Sequence, residues 1–139
     1  MSDAFVGFNQ SPKPDPRAKI QKHKAQLSFE YELRDLLAKL TSQSGFESVF
    51  GKTKKFDFRQ GAKLQFTLGE VEFRGTVSQI NIPKRIVLNT EIHGEIEFQF
   101  STAKGPAKVI VLIRSNLVPE AASAWEEQVL QLLERFRKV

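Results

Sequence analysis

The chain has 139 residues, of which 40% are hydrophobic and 27% charged, and its net charge is +5 at neutral pH. This length suits one domain with a single core. The chain has no cysteine, which excludes disulfides, a thiolate nucleophile and cysteine-ligated metals, and its two histidines, His23 and His93, are too few for a histidine-rich metal site. We therefore expect neither a cofactor nor a metal.

The first eighteen residues have the composition of an extended tail. Pro12, Pro14 and Pro16 alternate with charged residues there, which favours a solvated chain over a helix. We predict a flexible tail over residues 1–18 and one domain over residues 19–139. The start of the chain has no signal-peptide pattern, and no stretch approaches the roughly 18 apolar residues that span a membrane. The expected location is cytoplasmic.

The domain begins with a predicted strand over residues 19–31, with Leu27, Phe29 and Tyr31 on one face. The period then changes, because leucines recur at helical spacing over residues 32–41. A second short helix follows and is closed by Gly51. Strand-like alternation resumes in two segments, residues 55–58 and 62–68.

The clearest strand pattern runs from Val71 to Ile113, where apolar and polar side chains alternate through several segments interrupted at Pro83. The shared inward face contains one hydrogen-bonding side chain, Thr90. Turn lengths set the expected cross-strand pairs. These are Leu68 with Val71, Phe66 with Phe73, Val77 with Ile86, and Ile92 with Ile96 across a three-residue loop.

A long helix ends the chain. Pro119 suits its first turn, and basic residues, Arg135 among them, suit its C-terminal end. Its apolar stripe consists of Ala122, Trp125, Val129, Leu132, Leu133 and Phe136. Because such a stripe must be buried, we expect the helix to pack against the sheet. The predicted class is α+β.

This order of elements resembles the helix-grip fold of the START and birch-pollen-allergen (SRPBCC) superfamily. In that fold a curved antiparallel sheet of about six to seven strands wraps around a long C-terminal helix, with two short helices after the first strand. A narrower resemblance, to the family of activator-of-heat-shock-protein-90-ATPase homologues, rests on the segment FRGTVSQINIPKRIVLNT and on the W-x-x-x-V-x-x-L-L run that begins at Trp125. The matching positions in the segment are Gly75, Val77, Ile80, Pro83, Arg85, Ile86 and Val87.

The resemblance implies a hydrophobic cavity between sheet and helix, of the kind that holds lipids, polyketides and other apolar molecules. The favoured function is therefore non-catalytic binding of a small hydrophobic or amphipathic ligand. The predicted cavity residues are Tyr31, Phe66, Phe73, Val77, Ile86, Leu88, Thr90, Phe98, Val111, Trp125 and Val129. The alternative for the same residues is a filled core.

Candidates for catalysis are poor, and we predict no catalytic residue. A general base must reach its substrate. However, His23 lies between lysines, and His93 is expected at a hairpin tip on the outward face. The glutamates of the same hairpin, Glu91, Glu95 and Glu97, also have the outward phase. Cyclase-like chemistry stays open only if the true register turns His93 or a carboxylate inward.

Charge supports a second hypothesis, a protein-interaction or chaperone-associated module. A basic surface patch is predicted at Lys52, Lys54, Lys55, Arg59 and Lys63. We expect it to merge with the basic residues of segment 1–26, as neighbouring strands would allow. Such a patch attracts acidic proteins, anionic membranes or nucleic acid. Nucleic acid is the least favoured of these because no recognition motif accompanies the charge. The remaining alternative is a solvated face, and a monomer is expected.

Overall fold

The fold is known from a computed structural model that describes residues 15–139. The strands are β1 (Lys19–Glu32), β2 (Lys52–Thr53), β3 (Lys63–Leu68), β4 (Val71–Asn81), β5 (Arg85–Thr90), β6 (Gly94–Phe100) and β7 (Pro106–Leu117). The helices are α1 (Leu33–Leu40), α2 (Gln43–Phe50) and α3 (Pro119–Arg137). Within the described residues, none of these helices has the length and apolarity that a membrane crossing requires.

The predicted tail falls largely on residues 1–14, which lie outside the described residues. Residues 15–18 form a turn next to the domain. In this turn Arg17 donates to Asp15 and, at 2.6 Å, to Glu120 in the first turn of α3. This short segment is thus attached to the domain by an ion pair.

All seven strands form one antiparallel sheet in the order β1-β7-β6-β5-β4-β3-β2. The sheet is curved, and α3 lies against its inner face. The predicted stripe of α3 is confirmed for Trp125, Val129, Leu132, Leu133 and Phe136, which are all buried. Together with the buried faces of α1 and α2, these side chains close a single hydrophobic core over the sheet.

Gly51 connects α2 to the short strand β2, where the chain must pass close to β3. Its φ of 122° belongs to the region that favours glycine. A Cβ at this position would lie 2.2 Å from the carbonyl oxygen of Thr67. Glycine is therefore required for α2 to sit directly above the end of the sheet.

The predicted register is confirmed at the β3–β4 hairpin, where Leu68 pairs with Val71 and Phe66 with Phe73. It is wrong at the next hairpin. Val77 pairs with Leu88, because the loop consists of residues 82–84 and because β4 contains a bulge between Val77 and Gln79.

The β5–β6 hairpin also differs from the prediction. Ile96 pairs with Leu88 and not with Ile92, and the loop consists of residues 91–93. The Thr90 hydroxyl oxygen closes this loop by accepting the backbone N–H of His93 at 3.0 Å. Gly94, with φ of 87°, starts β6. As a result His93 points into the core and not away from it.

The strand predicted over residues 55–58 is absent, and residues 54–62 form a loop between β2 and β3. The alternation there has another cause. Phe56 and Phe58 both pack on Phe46 of α2, with ring centroids 5.6 and 6.1 Å away, while Asp57 between them lines a groove. The alternating pattern of this segment therefore comes from a loop whose two aromatic rings pack inward, and not from a strand.

Candidate functional site

The residues predicted to line a cavity lie on the inner face of the sheet or on the facing stripe of α3. Nine are buried, namely Phe66, Val77, Ile86, Leu88, Thr90, Phe98, Val111, Trp125 and Val129. Phe73 and Tyr31 are half-buried. The apolar members belong to one continuous packed cluster. Contact of these residues with a ligand stays a prediction.

Tyr31 does not present its hydroxyl to the interior. The hydroxyl donates to the carbonyl oxygen of Val139, and the Lys39 ammonium lies 4.6 Å from the ring centroid. Tyr31 therefore contacts the last described residue of the chain through its hydroxyl, and the Lys39 ammonium through the face of its ring.

His93 is the main correction to the sequence-based site. We expected it to be solvated, but it is 0% exposed. Its carbonyl oxygen accepts the Trp125 indole N–H at 2.8 Å, and its ring packs edge-on against Phe50 at 6.2 Å between centroids. Alternation alone could not reveal this, because the position of His93 depends on where β5 ends.

Hydrogen bonding engages one ring nitrogen of His93 and leaves the other without a partner. Thr90 Oγ1 accepts the His93 backbone N–H and lies 3.1 Å from Nδ1, where the hydroxyl donates in one His93 tautomer and accepts in the other. In the tautomer that accepts the hydroxyl proton at Nδ1, Nε2 is an N–H donor. Among residues 15–139, Nε2 is buried and has no partner. Burial, and secondarily the positive charge of Arg135, lower the pKa of His93 to about 4, so the ring is neutral at pH 7.

Arg135 and Gln128 flank the buried stripe of α3 on the same side of the helix, since they are seven residues apart. The Arg135 guanidinium donates through Nε to the carbonyl oxygen of Val49 at 2.6 Å. Its Nη2 is buried without a partner, as is Oε1 of Gln128. Burial lowers the pKa of Arg135 from its ordinary value. Sequence analysis had assigned Arg135 only to the helix dipole.

These side chains form what we call the inner polar cluster: Thr90, His93, Trp125, Gln128 and Arg135. It lies at one end of the core, between α3, the C-terminal half of α2 and the loop that follows β5. Two of its nitrogens have no partner among residues 15–139: Arg135 Nη2, which is a donor, and His93 Nε2, which is a donor when Nδ1 accepts from Thr90. Among residues 15–139 no three His, Asp or Glu side chains converge as metal ligands would. The cluster is suited to holding an oxygen acceptor.

A second candidate lies on the outer face of the sheet and is open to solvent. This outer groove has a volume of about 990 Å³. Its floor is formed by outward residues of β3, β4 and β5, and its rim by the loop over residues 54–62. The charged residues lining it are Lys55, Asp57, Arg59, Lys63, Arg74 and Glu91.

The outer groove includes part of the predicted basic patch. Lys55, Arg59 and Lys63 line it, whereas Lys54 pairs with Glu72 at 3.4 Å. Lys52 is exposed on β2. The expected merger with the basic residues of β1 is wrong, because β1 and β2 form opposite edges of the sheet with five strands between them.

Comparisons with known proteins address the fold. No protein-family model and no curated protein sequence matches the chain. Solved structures do match. A Bacillus halodurans protein aligns with a TM-score of 0.70 at 11% identity, covering 85% of this chain and 95% of its own.

Two further matches are named as members of the group that the sequence resembled. The Aha1 dimer from Colwellia psychrerythraea aligns with a TM-score of 0.63 at 15% identity, covering 82% of this chain and 92% of its own. The AHSA1-like protein from Aeromonas hydrophila aligns with a TM-score of 0.61 at 16% identity, covering 85% and 92%. The chain has the helix-grip fold. The predicted resemblance is confirmed at the level of architecture.

Proposed function

We propose that the protein is a non-catalytic binder of a small amphipathic molecule, with an apolar body and a carbonyl or carboxylate end, held at the inner polar cluster. The observation that carries this proposal is the pair of buried nitrogens, His93 Nε2 and Arg135 Nη2, that have no hydrogen-bond partner among residues 15–139. A buried polar group that loses its hydrogen bond costs about 1–3 kcal/mol, and more if charged. A ligand oxygen would recover that free energy.

The surroundings of the cluster favour an apolar body for the ligand. Phe50 and Val129 are fully buried beside it, and the rest of the inner face continues as hydrophobic core. Such a combination of apolar walls with a few polar groups is typical of small-molecule sites. The ligand polar end would lie between α2 and α3, and its apolar part would replace contacts that the core side chains now make with one another.

Binding suits these residues better than turnover. In the tautomer that this proposal assigns to His93, Nδ1 accepts from Thr90 and Nε2 is a donor, so neither nitrogen accepts a substrate proton. The inward position of His93 meets the condition under which cyclase-like chemistry stayed open. Its hydrogen bonding favours a role in holding a ligand oxygen.

The proposal can be tested with sodium decanoate as probe, below its micelle concentration, and with decanol as the uncharged comparator. Trp125 is the only tryptophan in the chain. Its indole N–H contacts His93. We expect saturable changes in Trp125 fluorescence and in its indole N–H resonance. Arg135→Met should weaken decanoate binding about tenfold or more, as the loss of a charge-assisted hydrogen bond implies, and should affect decanol less.

Arg137→Met is the matched control, because Arg137 is an exposed arginine on the same helix. It should change the affinity less than about twofold. The proposal fails if wild-type protein shows no saturable response to either probe. It also fails if the two variants lose affinity equally, or if an ordered water at His93 Nε2 is the only occupant found at high decanoate concentration.

A further inference from the structure

The outer groove carries a net positive charge. Its six charged residues are four cations and two carboxylates. Arg59 is neutralised by Asp57, with Nη2 to Oδ2 at 2.6 Å. Among residues 15–139, Lys55, Lys63 and Arg74 have no carboxylate oxygen within 4.0 Å. Three free cations therefore surround one open groove.

The second carboxylate, that of Glu91, is bound by backbone and forms no ion pair with these cations among residues 15–139. Glu91 Oε1 accepts the backbone N–H of Arg74 at 2.6 Å, and the Glu91 N–H donates back to the Arg74 carbonyl oxygen at 2.9 Å. This carboxylate is thus held by the β4 backbone, while the Arg74 side chain remains exposed. The groove combines a fixed carboxylate with exposed positive side chains.

The floor of the groove is polar and kept shallow by close strand packing. It presents side chains that both donate and accept, those of Gln65, Thr76 and Asn89. At Gly75 a Cβ would lie 2.7 Å from the Asn89 carbonyl oxygen, so glycine is what permits β4 and β5 to approach there. Such a floor can bind the amide groups of an extended chain that crosses the strands.

The same features decide between classes of occupant. A volume of about 990 Å³ is at the upper end for a small-molecule site. Single-stranded nucleic acid needs exposed aromatic rings on which bases stack. The aromatic residues of the adjacent loop, Phe56 and Phe58, instead pack inward on Phe46.

We propose that the outer groove is a docking site for an extended acidic segment of a partner protein, whose carboxylates pair with Lys55, Lys63 and Arg74. This surface is separate from the inner polar cluster, so each proposal can fail without the other. Because the groove is exposed, the interaction depends on salt and relies on several weak ion pairs.

The test uses the full chain and a fluorescent twelve-residue peptide of alternating glutamate and serine, followed by anisotropy at 50 and 200 mM NaCl. Lys63→Glu combined with Arg74→Glu should weaken binding about tenfold or more at the lower salt, since two attractive contacts become repulsive. The wild-type affinity should fall markedly at 200 mM NaCl.

The matched control is Lys22→Glu combined with Lys24→Glu, which changes net charge equally on the exposed residues of β1 at the opposite edge of the sheet. We expect less than about a twofold effect from this pair. Equal losses in the two double variants would overturn the proposal, because net charge alone would then explain binding. Tighter binding of a twelve-nucleotide thymidine strand than of the peptide, lost in the groove variant, would reassign the groove to nucleic acid and also overturn it. Unchanged thermal unfolding of both variants verifies that the fold is intact.

Discussion

The inner polar cluster and the outer groove each contain an arginine without a carboxylate partner, but the two arginines are in opposite environments. Arg135 is partly buried against α2, with one nitrogen fully enclosed, whereas Arg74 is exposed above the sheet. Burial makes each unmade hydrogen bond costly, while water compensates an exposed cation and salt screens it. Substitutions in the inner polar cluster should therefore change the free energy of unfolding and the ligand affinity. Substitutions in the outer groove should change the salt-dependent association with a partner.

The largest expected effect tests whether the core between the sheet and α3 is filled. Phe98 is 1% exposed, and its ring centroid is 5.1 Å from that of Phe136. Phe98→Ala should lower the free energy of unfolding by about 3–5 kcal/mol, because it leaves a cavity. Val71→Ala, at a side chain that is 54% exposed, should change it by less than about 0.5 kcal/mol. Urea unfolding measures both. A loss below about 1.5 kcal/mol for Phe98→Ala would indicate a hollow interior and extend the proposed ligand site along the sheet.

An intermediate effect comes from the titration of His93. Its pKa is lowered from 6.5 to about 4 in the folded state, so protons bind more readily to the unfolded chain between these values. The contribution of neutral His93 to the free energy of unfolding is fully present above about pH 6.5. It is lost as the pH falls to about 4 and amounts to on the order of 3 kcal/mol. Comparing urea unfolding at pH 7.5 and 4.5 in wild type and in His93→Phe isolates this contribution from that of the carboxylates.

The control for this titration is His23→Gln, which replaces the half-buried histidine of β1. It should retain the acid sensitivity of the wild type, whereas His93→Phe should lose most of it. If His93→Phe is as acid-sensitive as the wild type, His93 is not held neutral by its surroundings. The expected contrast between a buried environment in the inner polar cluster and an exposed one in the outer groove is then wrong.

The smallest expected effect is on the outer face. Arg114 donates through Nε to Glu95 at 2.9 Å, and both side chains are exposed to solvent. Glu95→Gln should lower the free energy of unfolding by less than about 1 kcal/mol, because exposed ion pairs contribute little. Repeating the measurement in 1 M NaCl should reduce even this difference. A loss as large as that expected for His93 would show that solvent screens this ion pair less than its exposure indicates.

Prediction from sequence succeeded where a local pattern coincides with burial. The alternation of β1, the helical stripe of α3 and the pairing of Leu68 with Val71 each correspond to the structure. In these elements one face is apolar and the other polar, so a shift of one residue would bury polar side chains. The strand-like segment at residues 55–58 failed because alternation also arises when two aromatic side chains anchor a loop to α2.

The candidate sites were less predictable because they depend on contacts between distant segments. His93 meets Trp125 across 32 residues, and Arg135 meets Val49 across 86. The outer groove forms only because the loop over residues 54–62 lies beside β3, β4 and β5. The strand order of the whole sheet also separates two basic segments that the sequence suggested were adjacent.

The sequence by itself determined the α+β class, the strand and helix content and the apolar faces that make the core. These follow from periodicity and from the free energy of burying apolar side chains, which are properties of short segments. The tertiary structure alone decided that His93 is buried, that Arg135 faces it, and that three cations share a groove. The end of β5 at Thr90 places His93 in the loop that turns inward, and the strand order places the loop over residues 54–62 beside β3, β4 and β5. Both results depend on contacts between distant segments, which the hydrophobic pattern of a single segment does not report.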